Sequence, residues 1–198
     1  PFCVAQSFCD QVSESPKRWL PKTGNAFGFV KRGAGTMRLA FNYGSSAGSG
    51  VGEVNGGDAV VEAGTLQVDN TVLAKEDANV RFVVKNGAFL SGSGSVRNVV
   101  IEQGGGFAGT VGQPAALNVL GTATLPVAGT VAVTAPSGVD RASIRLDVVR
   151  IAGTTAGASD LSGWTVKVNG TDEPDLKVAL RDGVVCVGPN KGLSIIFR

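Results

Sequence analysis

Gly44-Ser45-Ser46-Ala47-Gly48 fits the G-x-S-x-G spacing that in hydrolases lifts a serine onto a sharp strand-to-helix turn beside a histidine base. The chain has no histidine, so the base is missing, and no helical periodicity follows the motif. The pentapeptide is therefore expected to form a Gly/Ser corner loop. The same absence removes the Ser-His-Asp triad, the Cys-His pair and zinc sites built on imidazole. Three cysteines, Cys3, Cys9 and Cys186, fall short of an all-Cys zinc site. Cys3 and Cys9 suit a short local disulfide in an exported protein. Cys186 lies in the run Gly183-Val184-Val185-Cys186-Val187 and is expected as a small buried apolar side chain, with a bridge to Cys3 or Cys9 left open.

Cleavage of acidic polysaccharides needs clustered carboxylates or a calcium cage, with a basic residue as proton acceptor. The acids here are mostly isolated. The adjacent pairs are Glu76-Asp77 and Asp172-Glu173, with Asp175 nearby. Neighbours on a strand point to opposite faces, so both pairs read as solvated turn charges. Lys31, Arg38, Arg81, Lys85 and Arg97 alternate with apolar residues, as an outward polar face requires. Gly92-Ser93-Gly94 and Gly48-Ser49-Gly50 lack the completing glycine and the strand-helix context of a dinucleotide site. Asn169-Gly170-Thr171 fits a glycosylation acceptor, but a hairpin turn explains it sufficiently. Trp19 and Trp164 are expected to pack caps. No catalytic, cofactor-binding or metal-ligating residue is assigned, and no cofactor is expected.

Gly occupies 29 of 198 positions, about twice the usual share, while charged residues reach only 17%. That balance excludes a disordered charged tail and an ordinary helical bundle. The formal charge of +2 is scattered without blocks of like sign, so nucleic acid is not an expected partner. No apolar run approaches the ~20 residues of a membrane helix. With Pro1 in place of Met, a processed form or an excised segment is expected, with any signal peptide upstream.

Short runs rich in Val, Leu, Ile and Phe, separated by Gly, Ser, Asn and Asp, predict strands at 27–30, 36–41, 59–62, 65–68, 80–84, 88–90, 96–101, 116–120, 122–127 and 130–134. Very little helix is expected. A Gly-Thr/Ser-apolar step recurs at Gly35-Thr36-Met37, Gly64-Thr65-Leu66, Gly94-Ser95-Val96, Gly121-Thr122-Ala123 and Gly129-Thr130-Val131, mostly too far apart for hairpins. The steps favour coils that advance along an axis over a sandwich, with Val60, Leu66, Val68, Val83, Val100 and Leu117 as inward columns. Asn-Gly and Asp-Gly turns at 55–56, 86–87, 169–170 and 182–183 are the hairpin candidates, favoured in the tail.

Val30-Lys31-Arg32-Gly33-Ala34-Gly35-Thr36-Met37-Arg38-Leu39 resembles the "K-x-G-x-G-T-L-x-L" opening of the autotransporter-associated passenger repeat. Residues 56–68, ending Ala63-Gly64-Thr65-Leu66-Gln67-Val68, are similar to its "G-G-T-x-V-x-x-G-T-L-x-V" half, and residues 90–96, 103–109 and 117–121 to the stretch that commonly follows. The resemblance spans about 27–134. It implies an all-β, right-handed, single-stranded parallel β-helix on a bacterial surface, although the membrane barrel of an autotransporter is not visible in this chain. The organisation expected is a cap or leading segment over 1–24, coils over 25–139 and a strand-rich C-terminal cap over 140–198. The function expected is a non-enzymatic secreted or surface scaffold, a stalk or adhesin module. Its partners would be host or environmental glycans or surface proteins. A carbohydrate-binding or polysaccharide-cleaving β-helix is the alternative.

Overall fold

A computed structural model describes residues 27–39, 56–69, 71–72, 81–113 and 115–190. The motif at 44–48, Cys3, Cys9, Trp19 and Glu76-Asp77 lie outside the described residues, as do the turn residue Asn55 and residues 191–198 of the expected C-terminal cap. The fold is all-β. Its one helical element among the described residues is a single 3-10 turn, Arg141–Ser143, whose first free N–H groups include one that donates to the Asp140 carboxylate.

The strands fall into three sheets that the chain visits in rotation. It passes through Phe27–Lys31 (β1) and Thr36–Leu39 (β2), then Gly56–Val61 (β3), Gly64–Val68 (β4) and Thr71–Val72 (β5). The next round is Arg81–Val84 (β6), Ala88–Ser91 (β7) and Ser95–Val96 (β8), followed by Asn98–Ile101 (β9), Gly106–Thr110 (β10) and Leu117–Val119 (β11). Thr122–Leu125 (β12), Thr130–Thr134 (β13) and Leu146–Ile151 (β14) make another, and Thr154–Gly157 (β15) and Thr165–Val168 (β16) begin the last. Thr171–Asp172 (β17), Leu176–Arg181 (β18) and Val184–Pro189 (β19) end the described chain. The first sheet runs β1-β3-β6-β9-β12-β15, the second β2-β4-β7-β10-β13-β16-β17, the third β5-β8-β11-β14-β19-β18. Each strand pairs in parallel with its counterpart one round later, through β14, β15 and β16.

Among the described residues, antiparallel pairing enters only at the C-terminal end of this stack. β17 folds back on β16 through Asn169-Gly170, and β19 on β18 through Asp182-Gly183. Both turns have positive φ at both central residues, 52° and 84° in one, 49° and 75° in the other, the backbone that matches strand twist in a two-residue hairpin. Asn86-Gly87 has the same dipeptide but joins β6 to β7 in different sheets, so there it makes a corner rather than a hairpin. β19 then pairs antiparallel with β14 across a bulge at Val148. The bulge lets Val148 and Val149 both face inward, with exposures of 4% and 0%. Gly109 gives the space: a Cβ there would stand 2.9 Å from the Leu146 side chain and 3.7 Å from that of Val148.

The core lies between the three sheets and consists of stacked apolar columns. In the second sheet Leu66, Leu90, Phe107, Val131 and Val166 stack on Met37; in the first, Val61, Val84 and Ile101 do so on one line. Trp164 is 5% exposed. Its ring stacks on Phe107 at 6.0 Å, and its N–H donates to the Pro126 carbonyl at 2.9 Å. Such a donor, once buried, requires this partner.

Several expectations are corrected. Leu66, Val68 and Leu117 are fully buried, but Val60 and Val100 face outward and are half-buried, while Ala59, Val61, Val99 and Ile101 fill the core. Val83, though only 8% exposed, shares their outward column. In runs such as Phe82-Val83-Val84 every residue is apolar, so alternation alone does not say which parity is inside. The predicted strand at 96–101 is two, broken at Arg97, because the run crosses a corner between sheets. Strands β10 and β15 are rich in Gly, Ala and Thr and carry too little apolar pattern to be predicted. Lys31 is not on an outward face but 3% exposed, and Cys186 is half-buried on the outer side of β19 between buried Val185 and Val187.

Candidate functional site

The register of the first sheet brings together side chains far apart in sequence. Val30, Val60, Val83, Val100, Thr124 and Ala156 are successive partners, so they form one outward column. On one side of it Asp58 is chelated by Arg81, through Nε at 3.1 Å and Nη2 at 2.6 Å. That guanidinium holds the Asp58 carboxyl below its ordinary value, against opposing desolvation. Asn98 follows Arg81 in register and accepts from the Thr122 N–H at 2.9 Å. On the other side Arg32 meets Glu62 at 2.7 Å and Lys85 meets Glu102 at 2.5 Å. The Lys85 N–H donates to the Val61 carbonyl at 2.9 Å, so the sequence Arg32, Glu62, Lys85, Glu102 is a ladder of alternating sign up the corner. The face is therefore a valine stripe with charged rims.

At the first described corner Lys31 turns its ammonium inward. Nζ donates to the carbonyls of Gly33, of Ala63 at 2.7 Å and of Arg32 at 3.4 Å. These bonds join two stacked turns and satisfy a charge that burial would otherwise penalise. Desolvation still lowers the Lys31 pKa. Gly64 sits against this ammonium: a Cβ there would fall 2.6 Å from Nζ and 2.5 Å from the Gly35 carbonyl oxygen. The lysine is thus a structural clamp, and its hydrogen-bonding capacity is spent on backbone.

The remaining candidates stand apart from one another. Asp69 bonds Arg38 and accepts from Gln67 Nε2 at 2.9 Å. Burial pushes its pKa up, but bonds from Gln67, Arg38 and the Ser93 backbone outweigh this and hold it low. Asp172 lies 3.6 Å from Lys167 and Glu173 3.9 Å from Arg141, so this adjacent pair serves two different cations; the Asp172 side chain is exposed, whereas that of Glu173 is largely buried and is not a solvated turn charge. Asp160 caps Ser162 through its backbone N–H and its hydroxyl, both at 2.9 Å. Asn169 uses its amide twice on Ala135, accepting from the N–H at 3.0 Å and donating to the carbonyl at 2.9 Å. The Cys186 thiol donates to the Ala179 carbonyl at 3.5 Å, and desolvation raises its pKa. Among the described residues no three His, Cys, Asp or Glu side chains converge to hold a metal ion. No described helix is long and apolar enough to cross a membrane.

Comparison with protein-family models, with curated proteins and with solved structures finds no match to this chain. The valine stripe and its ladder were not legible as a site in the sequence. Their signal was the recurrence of a charged residue two positions after an outward valine: Arg32 after Val30, Glu62 after Val60, Lys85 after Val83 and Glu102 after Val100.

Proposed function

We propose that the three sheets are the faces of a right-handed, single-stranded parallel β-helix, and that the chain serves as a non-enzymatic scaffold, a stalk or adhesin module secreted by or displayed on a bacterium. The observation that carries the architecture is the rotation of the chain through three sheets with parallel pairing one round on. The right hand follows from the strong preference of parallel crossovers. The resemblance of residues 27–134 to the autotransporter-associated passenger repeat is what supports the surface role. The charged groups on the outer faces support a non-catalytic reading, because several of them are paired from round to round.

Incubation of the purified chain with acidic plant polysaccharides and with mucin glycans, with and without calcium, tests this reading. We expect no new reducing ends and no unsaturated products. Hydrolysis or elimination in either condition would replace the scaffold by a carbohydrate-active protein.

A further inference from the structure

We propose that the outer face of the first sheet is a self-recognition surface, which docks face to face on the same face of a second copy with the two stacks running in opposite directions. The proposal depends on the register of this sheet and not on a role at a bacterial surface. Two flat sheet faces pack about 10 Å apart, and the half-buried Val60 and Val100, with Val83 only 8% exposed, offer a shallow apolar contact between the charged rims. A twofold axis along the strand direction, midway between Val60 and Val83, sets Val60 opposite the second copy's Val83 and Val30 opposite its Val100.

The same axis decides the electrostatics. The ladder Arg32, Glu62, Lys85, Glu102 alternates in sign, so on reversal Arg32 meets Glu102 and Glu62 meets Lys85 of the second copy. On the opposite rim Asp58 meets Arg81. Every opposed pair is of unlike charge. Stacks in register and running in the same direction would instead oppose Asp58 to Glu62 and Arg81 to Lys85, all like pairs. Charge complementarity therefore selects one partner, a second copy, and one orientation. The side chains have room for it: Arg32 is 73% exposed, Arg81 55% and Lys85 43%. An apolar stripe with a charged rim is also the composition of a docking interface.

Four rounds at ~4.8 Å by five residues at ~3.3 Å give roughly 300 Å² per copy. A stable complex buries about 800 Å² per partner, so the association is weak and transient. Sedimentation of the full chain at concentrations up to about 1 mM tests it. The weight-average mass should rise with concentration and fall back with added salt. Glu62→Lys and Lys85→Glu should each weaken association about tenfold or more, because each places like charges across the axis twice. An equimolar mixture of the two variants should associate about as well as the unmodified chain, since Glu62→Lys then faces Lys85→Glu. Val60→Lys, outward and half-buried, is a second probe, and circular dichroism with an unfolding midpoint confirms that each variant is folded. No rise in mass at any concentration, association indifferent to both reversals, or a mixture no tighter than either variant alone overturns the proposal.

Discussion

The Lys31 corner allows one substitution to be worked through from coordinates. Gly64 has φ of +66°, and a Cβ placed on it would lie 2.5 Å from the Gly35 carbonyl oxygen and 2.6 Å from both the Gly33 oxygen and Lys31 Nζ. Gly64→Ala therefore adds left-handed backbone strain of about 1–2 kcal/mol. It also displaces the ammonium from carbonyls that it holds at the closest approach, and charged hydrogen bonds are worth ~1.5–3 kcal/mol each. With one such bond lost, the sum is roughly 2.5–5 kcal/mol. Two neighbouring glycines are internal controls. Gly33 has φ of +77° but open space around its Cβ position, so Gly33→Ala should cost only the ~1–2 kcal/mol of strain. Gly35 has open space and no left-handed φ, so Gly35→Ala should be neutral or stabilising by up to ~1 kcal/mol. Urea unfolding followed by circular dichroism reads the global effect. Stacked rounds can open from one end. Hydrogen exchange at the Glu62 and Thr65 amides, which donate to the Lys31 and Gly35 carbonyls, therefore reads this corner directly. If Gly64→Ala came within about 1 kcal/mol of Gly33→Ala, the clamp as described would be wrong.

Three further outcomes are expected. Trp164→Ala should cost about 3–5 kcal/mol in urea unfolding, because it empties a buried site stacked on Phe107 and leaves the Pro126 carbonyl without its donor. Asn169→Ala should destabilise by ~2–3 kcal/mol, losing both bonds to Ala135 and forcing Ala to φ near 52°, whereas Asn169→Gly keeps the backbone and should cost less; the order of their thermal midpoints checks this. Arg81 lowers the Asp58 pKa in the folded chain, so the stability it contributes is complete above the ordinary carboxylate range and lost as pH falls through the lower folded value. Asp58→Asn should therefore flatten the acid limb of the unfolding midpoint against pH, and an unchanged limb would count against the pairing.

The ion-pair ladders also bear on how such a face avoids nonspecific pairing. Face-to-face contact of a bare valine stripe would be indifferent to orientation. The alternating ladder adds orientation, because reversal of the stack is the operation that exchanges its signs. At the C-terminal end the edge strand β18 carries exposed Lys177 and Arg181, a common device against edge-to-edge addition. The chain thus has a charged guard on that edge and a patterned face on its side.

Much of the local structure is legible in the residues. Thr36, Ser95, Thr122 and Thr130 each open a strand after the glycine of a Gly-Thr/Ser step, and Gly64 opens another. Asn169-Gly170 and Asp182-Gly183 make the hairpins that their dipeptides specify, since the positive φ that they need is a property of those residues and their immediate neighbours. What the sequence by itself determined is therefore an all-β chain, the Gly-Thr/Ser steps at which five of its strands open, and its two tail hairpin turns. Which valine of Val60-Val61 or Val99-Val100 faces the core, whether Asn86-Gly87 turns a corner or a hairpin, and where the Lys31 ammonium goes were decided only in three dimensions. Each depends on partners in the neighbouring round: Lys31 on Ala63, Arg32 on Glu62, Asp58 on Arg81, at separations of 32, 30 and 23 positions. Such contacts leave no mark in a window of a few residues, because backbone pairing between rounds sets the parity and register, and only then do the side chains find one another.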